Sequence, residues 1–340
     1  MTSDKAETKA AAFPALRRRP LRVSGKSLVV FEPLGGPAAR PAIVRPMVPG
    51  LSAADWAGAN RESLDEALMD HGALLLRGFA KTDVQGFEAF VAASSGPLLE
   101  YDNRSTPRSR VAGRVFTSTE YPADQTIPQH NEMSYADSWP RRVCFCCITA
   151  AEAGGETPIA DSARVLARIP AKVRARFERH GVMYVRNYRQ GLDLPWQDVF
   201  QTEEPIAVDS YCREHGIRAE WLPDRRLRTR QVSQATVVHP GTGKAVWFNQ
   251  AHLFHICALP PDVRGELQRD FAEEDLPRSA VYGDGTPIEP EALEVVRAAY
   301  AEEEIVFAWE EGDILLLDNL LMSHGRRPFS GSRRIVVGMT

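Results

Sequence analysis

Pro128-Gln129-His130-Asn131-Glu132-Met133-Ser134-Tyr135 is the stretch on which the reading of the fold turns. An H-x-E pair on an extended segment sets an imidazole and a carboxylate on one face, because side chains at i and i+2 point the same way. Beyond it the chain becomes strand-rich, with short apolar or alternating runs at 143–149, 182–185, 231–238, 245–248, 305–307, 314–317 and 335–337. Helical patterns interrupt these runs at 163–179, 261–274 and 290–302, and Pro- and Gly-rich connectors join them. The expected fold is mainly β with helical insertions (α+β), built on a jelly-roll, double-stranded β-helix core.

Upstream of that stretch, 60–70 reads as a helix with Asn60 as its N-cap and Gly72 just past its end. An apolar strand is expected over 73–79 and a second helix over 83–93, with Val84, Phe87, Phe90 and Val91 on one side. Residues 1–22 have no periodicity and read as a disordered tail. No repeat and no linker follows them, so 23–340 is expected to form one domain.

Downstream, Ile314-Leu315-Leu316-Leu317-Asp318-Asn319 runs into Ser323-His324-Gly325-Arg326. An apolar strand followed at once by His324 delivers a potential ligand on a rigid scaffold. Two histidines and one carboxylate on one face, the other face open, is the donor set that suits a non-heme Fe(II) centre activating O₂. One H-x-(D/E) is expected by chance with eight histidines and 45 acidic residues in 340, so the motif gains weight only from this context. His71, His180 and His215 read as helix C-terminal residues and His239 as part of a hairpin turn, while His252 and His255 are candidates to line a pocket.

Composition bounds the rest. A net charge of −4 with both signs mixed along the chain offers no basis for a nucleic-acid or anionic-membrane partner. Arg17-Arg18-Arg19 is the tightest basic cluster and falls in the tail. The longest apolar runs are strand-sized and cannot span a bilayer. Five cysteines, three of them packed as Cys144, Cys146 and Cys147, read as buried free thiols. An odd count with no secretion-signal pattern points to a reducing, cytoplasmic location.

Four motifs together resemble the TauD/TfdA-like (clavaminate synthase-like) Fe(II)/2-oxoglutarate dioxygenases, and within them the syringomycin-type aspartyl hydroxylases that occur with peptide synthetases. They are Gln129 to Tyr135, Gly154-Gly155-Glu156-Thr157-Pro158-Ile159-Ala160-Asp161, Trp247-Phe248-Asn249-Gln250, and Leu317-Asp318-Asn319 with His324-Gly325-Arg326, Pro328-Phe329 and Arg333-Arg334-Ile335. The resemblance covers about residues 70–340. It implies His130, Glu132 and His324 as iron ligands, Thr157 as a hydrogen-bond partner of 2-oxoglutarate, and Arg334 as the arginine that grips the distal carboxylate of 2-oxoglutarate. A guanidinium fork fixes a carboxylate in both position and direction. Arg333 should face the other way along the strand, so only one of the two serves, and the family alignment favours Arg334. This chain has Gly338 where some relatives keep a second arginine, and its carboxylate ligand is Glu in place of the commoner Asp.

The activity implied is hydroxylation of an unactivated C–H bond of an amino acid, free or tethered to a peptidyl carrier protein, in secondary metabolism, with O₂ consumed and succinate and CO₂ released. Asn249 and Arg186 are the candidate substrate contacts, with a backbone-bonding role for Asn249 and a structural ion pair for Arg186 as the competing readings. Two other functions are carried alongside. One is an iron oxidase of the same fold that desaturates or cyclises. The other is a non-catalytic jelly-roll binding module.

Overall fold

Strand Arg142–Thr149 shows how the cysteine-rich segment is used. Side chains alternate across a strand, so Val143, Phe145 and Cys147 enter one apolar layer while Cys144 and Cys146 enter another. Strand Ile314–Asp318 lies antiparallel beside it with Leu315 opposite Phe145, and divides the same way. All five cysteines are free thiols. The protein is seen here as a computed structural model describing residues 28–34, 41–99, 110–117, 121–188 and 192–340. The tail expected over 1–22 lies outside the described residues.

These two strands form the centre of an eight-stranded sheet, flanked by Ala73–Leu76 on one side and Arg334–Met339 on the other. A smaller sheet of three strands, in the order Ile127–His130, Met322–Arg326, Ile159–Asp161, closes over its inner face. Ile159 and Met322 from the small sheet meet Phe145, Leu315, Ile335 and Val337 from the large one in a single buried cluster. That is the expected jelly-roll core. On the outer face, helices Ala53–Ala59, Arg61–His71 and Val84–Ser95 cover Leu74, Cys144, Cys146, Leu316 and Val336 with Trp56, Leu64, Leu68, Phe87 and Phe90. The Asp83 side chain accepts from the Gly86 amide and caps the third of these helices.

Between the two halves of the core, the chain builds a second layer on the four-stranded sheet Arg218–Leu222, Arg226–Ser233, Val182–Tyr188, Arg278–Tyr282. The single helix expected over 163–179 is two, Ser162–Arg168 and Ala171–His180. Pro170 has no N–H for the helical ladder and separates them. The run at 231–238 also divides, between Arg226–Ser233 and the hairpin strand Thr236–Val238. At 305–307 no strand forms: Ile305 exchanges both backbone hydrogen bonds with Ile159 at the edge of the small sheet. The amphipathic helix Pro205–Glu214 has His215 as its C-cap, in keeping with the reading of that histidine. No described helix is long and apolar enough to cross a membrane.

Candidate metal centre

Strands Ile127–His130 and Met322–Arg326 pair antiparallel with His130 directly opposite His324, and their ring centroids lie 4.6 Å apart. Gly325 makes this approach possible, because a Cβ there would stand 2.7 Å from the Ile127 carbonyl oxygen. Glu132 arrives differently from the sequence expectation. The strand ends at His130, and a turn in which Met133 takes a positive φ of 55° carries the carboxylate inward. Its Oε2 lies 3.7 Å from His324 Nε2. One ligand atom from each of His130, Glu132 and His324 lies within 4.8 Å of the others, and these three form the candidate metal cluster among the described residues.

Hydrogen bonding sets the chemistry of the first ligand. His130 Nδ1 is 2.8 Å from the Pro128 carbonyl oxygen, which only accepts, so Nδ1 carries the proton and Nε2 keeps its lone pair. A carbonyl behind a metal-facing imidazole is the usual device for fixing the tautomer of a ligand. Glu132 and His324 are 3% and 4% exposed, so they would meet a cation inside the protein. Two imidazoles and one carboxylate, gathered on one side, fit a divalent iron that keeps further positions for small ligands.

The scaffold behind these donors is polar and buried. Asn131 Nδ2 donates to the Asn319 and Met322 carbonyls at 2.7 and 3.1 Å, and Gln250 Nε2 donates to the Asn131 carbonyl at 2.9 Å. Ser323 Oγ donates to Gln129 Oε1, and His252 Nε2 to the Gln129 carbonyl, both at 2.9 Å. Asp318 Oδ1 accepts from the Leu320 and Leu321 amides, while its Oδ2 accepts from His239 Nε2 at 3.1 Å. His239 thus ties the hairpin to the turn ahead of His324. Their supporting roles could not be read from the motifs that contain them, although Asp318-Asn319 at the end of an apolar strand was a signal.

Thr157 is 3% exposed, and its Oγ1 accepts from Trp309 Nε1 at 3.0 Å, leaving the hydroxyl proton for another acceptor. The two arginines differ in where they face. Arg334 shares strand parity with Val336 and Gly338, which face the helical layer, and its side chain is exposed. Arg333 shares parity with Ile335 and Val337, which face the interior. Arg333 Nε donates to the Gly155 carbonyl at 2.9 Å, and no described carboxylate pairs with it. Gly155 gives it room: at φ 74° a Cβ would lie 2.9 Å from Arg333 Cδ. Burial, together with the nearby Arg326 charge, pushes the Arg333 guanidinium down to about 10. Alternation alone allows either phase, and pairing with the neighbouring strand Arg142–Thr149 chooses between them.

Of the two readings carried for each candidate substrate contact, the surroundings match the competing one. Asn249 is fully buried, donates to the Ala235 carbonyl at 2.9 Å and accepts from the Ala251 amide at 3.1 Å. It is a backbone-bonding residue at the start of a short helix. Arg186 is 5% exposed, lies 3.5 Å from Asp193 and stacks over Tyr188. Burial would raise the Asp193 carboxyl, but Arg278 and Arg186 outweigh it and hold the group below the usual carboxylate range. The cavity that Arg186 lines measures about 20 Å³, too small for an amino acid. Arg186 belongs to a structural ion network. His252 lies wholly inside, at 1% exposure, and neither it nor His255 joins the metal cluster.

Comparison with known proteins agrees with this geometry. The family model described as taurine catabolism dioxygenase TauD, TfdA family matches residues 33–340. Dapdiamide synthesis protein DdaC of Enterobacter agglomerans is 45% identical over 276 residues, covering 81% of this chain and 84% of that protein. A clavaminate synthase-like protein of Arabidopsis thaliana is 30% identical over 286 residues, covering 81% and 83%. Among solved structures, PvcB of Pseudomonas aeruginosa matches with a TM-score of 0.54 at 15% identity, covering 92% of this chain and 90% of that one. At that identity the structural likeness speaks for the fold.

Proposed function

This chain belongs to the taurine catabolism dioxygenase TauD, TfdA family and works with iron and 2-oxoglutarate, and from that premise we propose that it hydroxylates an amino acid, free or held on a carrier protein, in secondary metabolism. The observation that carries the reading is the convergence of His130, Glu132 and His324 from distant parts of the chain. Support for the pathway class comes from the relative named for dapdiamide synthesis. Residues 23–340 act as one catalytic domain in this reading, since the ligands His130 and His324 lie far apart along the chain and meet on paired strands.

With iron and 2-oxoglutarate bound, O₂ supplies one oxygen atom to the substrate and one to succinate, and CO₂ is lost. The residues of the chain provide placement. His130 and His324 would hold the metal as neutral donors, and Glu132 would balance part of its charge. The Arg333 fork would grip the distal carboxylate of 2-oxoglutarate, and the Thr157 hydroxyl, oriented by Trp309, would donate to the same group. Glu132 also fills the position that a halide would need in a halogenating relative, which favours oxygen transfer.

The test is turnover with Fe(II), ascorbate and 2-oxoglutarate under air, across free and carrier-tethered amino acids, read by succinate release and product mass. A gain of one oxygen is expected. A loss of two hydrogens would replace hydroxylation with desaturation or ring closure. Succinate no higher than in an iron-free control, whatever the substrate, would favour a non-catalytic binding module.

A further inference from the structure

Arg326 ends the strand that carries His324 and is 5% exposed. Its guanidinium donates to the carbonyls of Tyr121, Pro122 and Gln125 at 3.0, 2.6 and 2.9 Å, so the charge is pinned in one place. Those carbonyls satisfy N–H groups without supplying a counter-charge, and no described carboxylate pairs with Arg326. Arg333 stands alike: it bonds the Gly155 carbonyl, and Glu156 favours its charge from nearby without forming an ion pair.

The two cations share a neighbour. Their guanidinium carbons lie 5.2 and 5.4 Å from the centroid of the Phe329 ring. Burial, and after it the Arg326 charge, holds Arg333 below the usual arginine range, so each guanidinium feels the other. Like charges in such proximity repel, and a buried cation without a partner is costly. An anion seated on Arg333 would offset both effects, because the second charge attracts it as well as the first. Neighbouring Arg327 is instead paired with Glu304, and its side chain is 44% exposed, so it adds no comparable field.

We propose that Arg326 is a specificity-determining residue: a fixed second positive charge that makes the Arg333 site select a 2-oxo acid ending in a carboxylate over one ending in a neutral group. The inference rests on the reading of Arg333 as the anchor of 2-oxoglutarate. Arg333 makes the contact, and Arg326 acts through space from the other guanidinium position at Phe329. Its hydrogen bonds to the 121–125 segment serve to hold that charge where the field is needed.

The experiment uses full-length protein loaded with Zn(II), which has no redox chemistry of its own. Calorimetry compares 2-oxoglutarate with 2-oxopentanoate, which has the same metal-binding end and chain length but no distal carboxylate. The parent should prefer 2-oxoglutarate by about 100-fold. Arg326→Gln should weaken 2-oxoglutarate by about tenfold and leave 2-oxopentanoate within about twofold. Arg326→Lys, which keeps the charge and loses the fork on the three carbonyls, should retain most of the preference. Parental affinities in Arg326→Gln overturn the proposal. So does equal weakening of both acids, or a preference lost as fully in Arg326→Lys, since either would mean a structural role. An intact preference in Arg333→Met would instead remove the anchor reading itself, and the proposal with it.

Discussion

Asn319 and Glu132 are joined by two reciprocal hydrogen bonds: Asn319 Oδ1 accepts from the Glu132 amide at 2.8 Å, and Asn319 Nδ2 donates to the Glu132 carbonyl at 3.0 Å. The same Nδ2 reaches the Pro140 carbonyl at 2.8 Å, and Asn319 is fully buried. The backbone of the proposed carboxylate ligand is thus clamped by the turn just ahead of His324. Two of the three donors are positioned by the strand pair, and the third by this one amide.

Replacing Asn319 should therefore act on the metal before it acts on anything else. Asn319→Ala is expected to weaken Co(II) or Fe(II) binding by about 10–100-fold and to lower the melting temperature, since it strands the Glu132 amide and carbonyl. Asn319→Asp keeps the acceptor and loses the donor, and should fall between the two. A metal titration of folded Asn319→Ala indistinguishable from the parent would remove the clamp from the ligand geometry.

The two arginines should separate cleanly. Arg333→Met is expected to raise the 2-oxoglutarate concentration needed for half-maximal turnover by about 100-fold, the scale of one lost charge-assisted carboxylate contact of roughly 3 kcal/mol. Arg334→Met, altering an exposed side chain, should stay near parental behaviour. The reverse result would return the role to Arg334.

His252 should make the fold acid-sensitive. Burial lowers it to about 4 from 6.5, with the charges of His130 and Arg297 adding to the effect and the Gln129 carbonyl opposing it. The unfolded chain takes up a proton on this group below pH 6.5 and the folded protein does not, so stability is unaffected above that pH. It falls as the pH drops toward 4, by on the order of 3 kcal/mol in total. The urea midpoint of His252→Asn should have a shallower slope between pH 7 and 5 than the parent. Equal slopes would mean that His252 is charged in the folded state.

Thiol chemistry should distinguish the layers. Burial pushes Cys144 and Cys147 up to about 12, Cys212 up to about 11 and Cys146 up as well. Cys257 alone is partly exposed. A maleimide should label Cys257 in the native protein and all five cysteines in urea. Native labelling within Arg142–Thr149 would contradict the packing of that strand.

Much of the fold was legible along the chain because it rests on local pattern. Asn60 and Gly72 bracket a helix, Asp83 caps another, and the run at 143–149 forms a strand. The identities of His130, Glu132 and His324 stood out because few residue types bind iron. Asn249 and Arg186 could be read two ways because their chemistry suits a ligand as well as it suits the backbone or an aspartate. Only burial and partners separate those uses.

By itself the sequence determined the donor types, the strand and helix periods and the family, all properties of residues and their near neighbours. Tertiary structure decided which arginine turns inward, how Glu132 enters the site, and that Arg326 and Arg333 meet at one ring. Those outcomes depend on register and packing between segments far apart in the chain. Period-two alternation has two equivalent phases until a partner strand selects one.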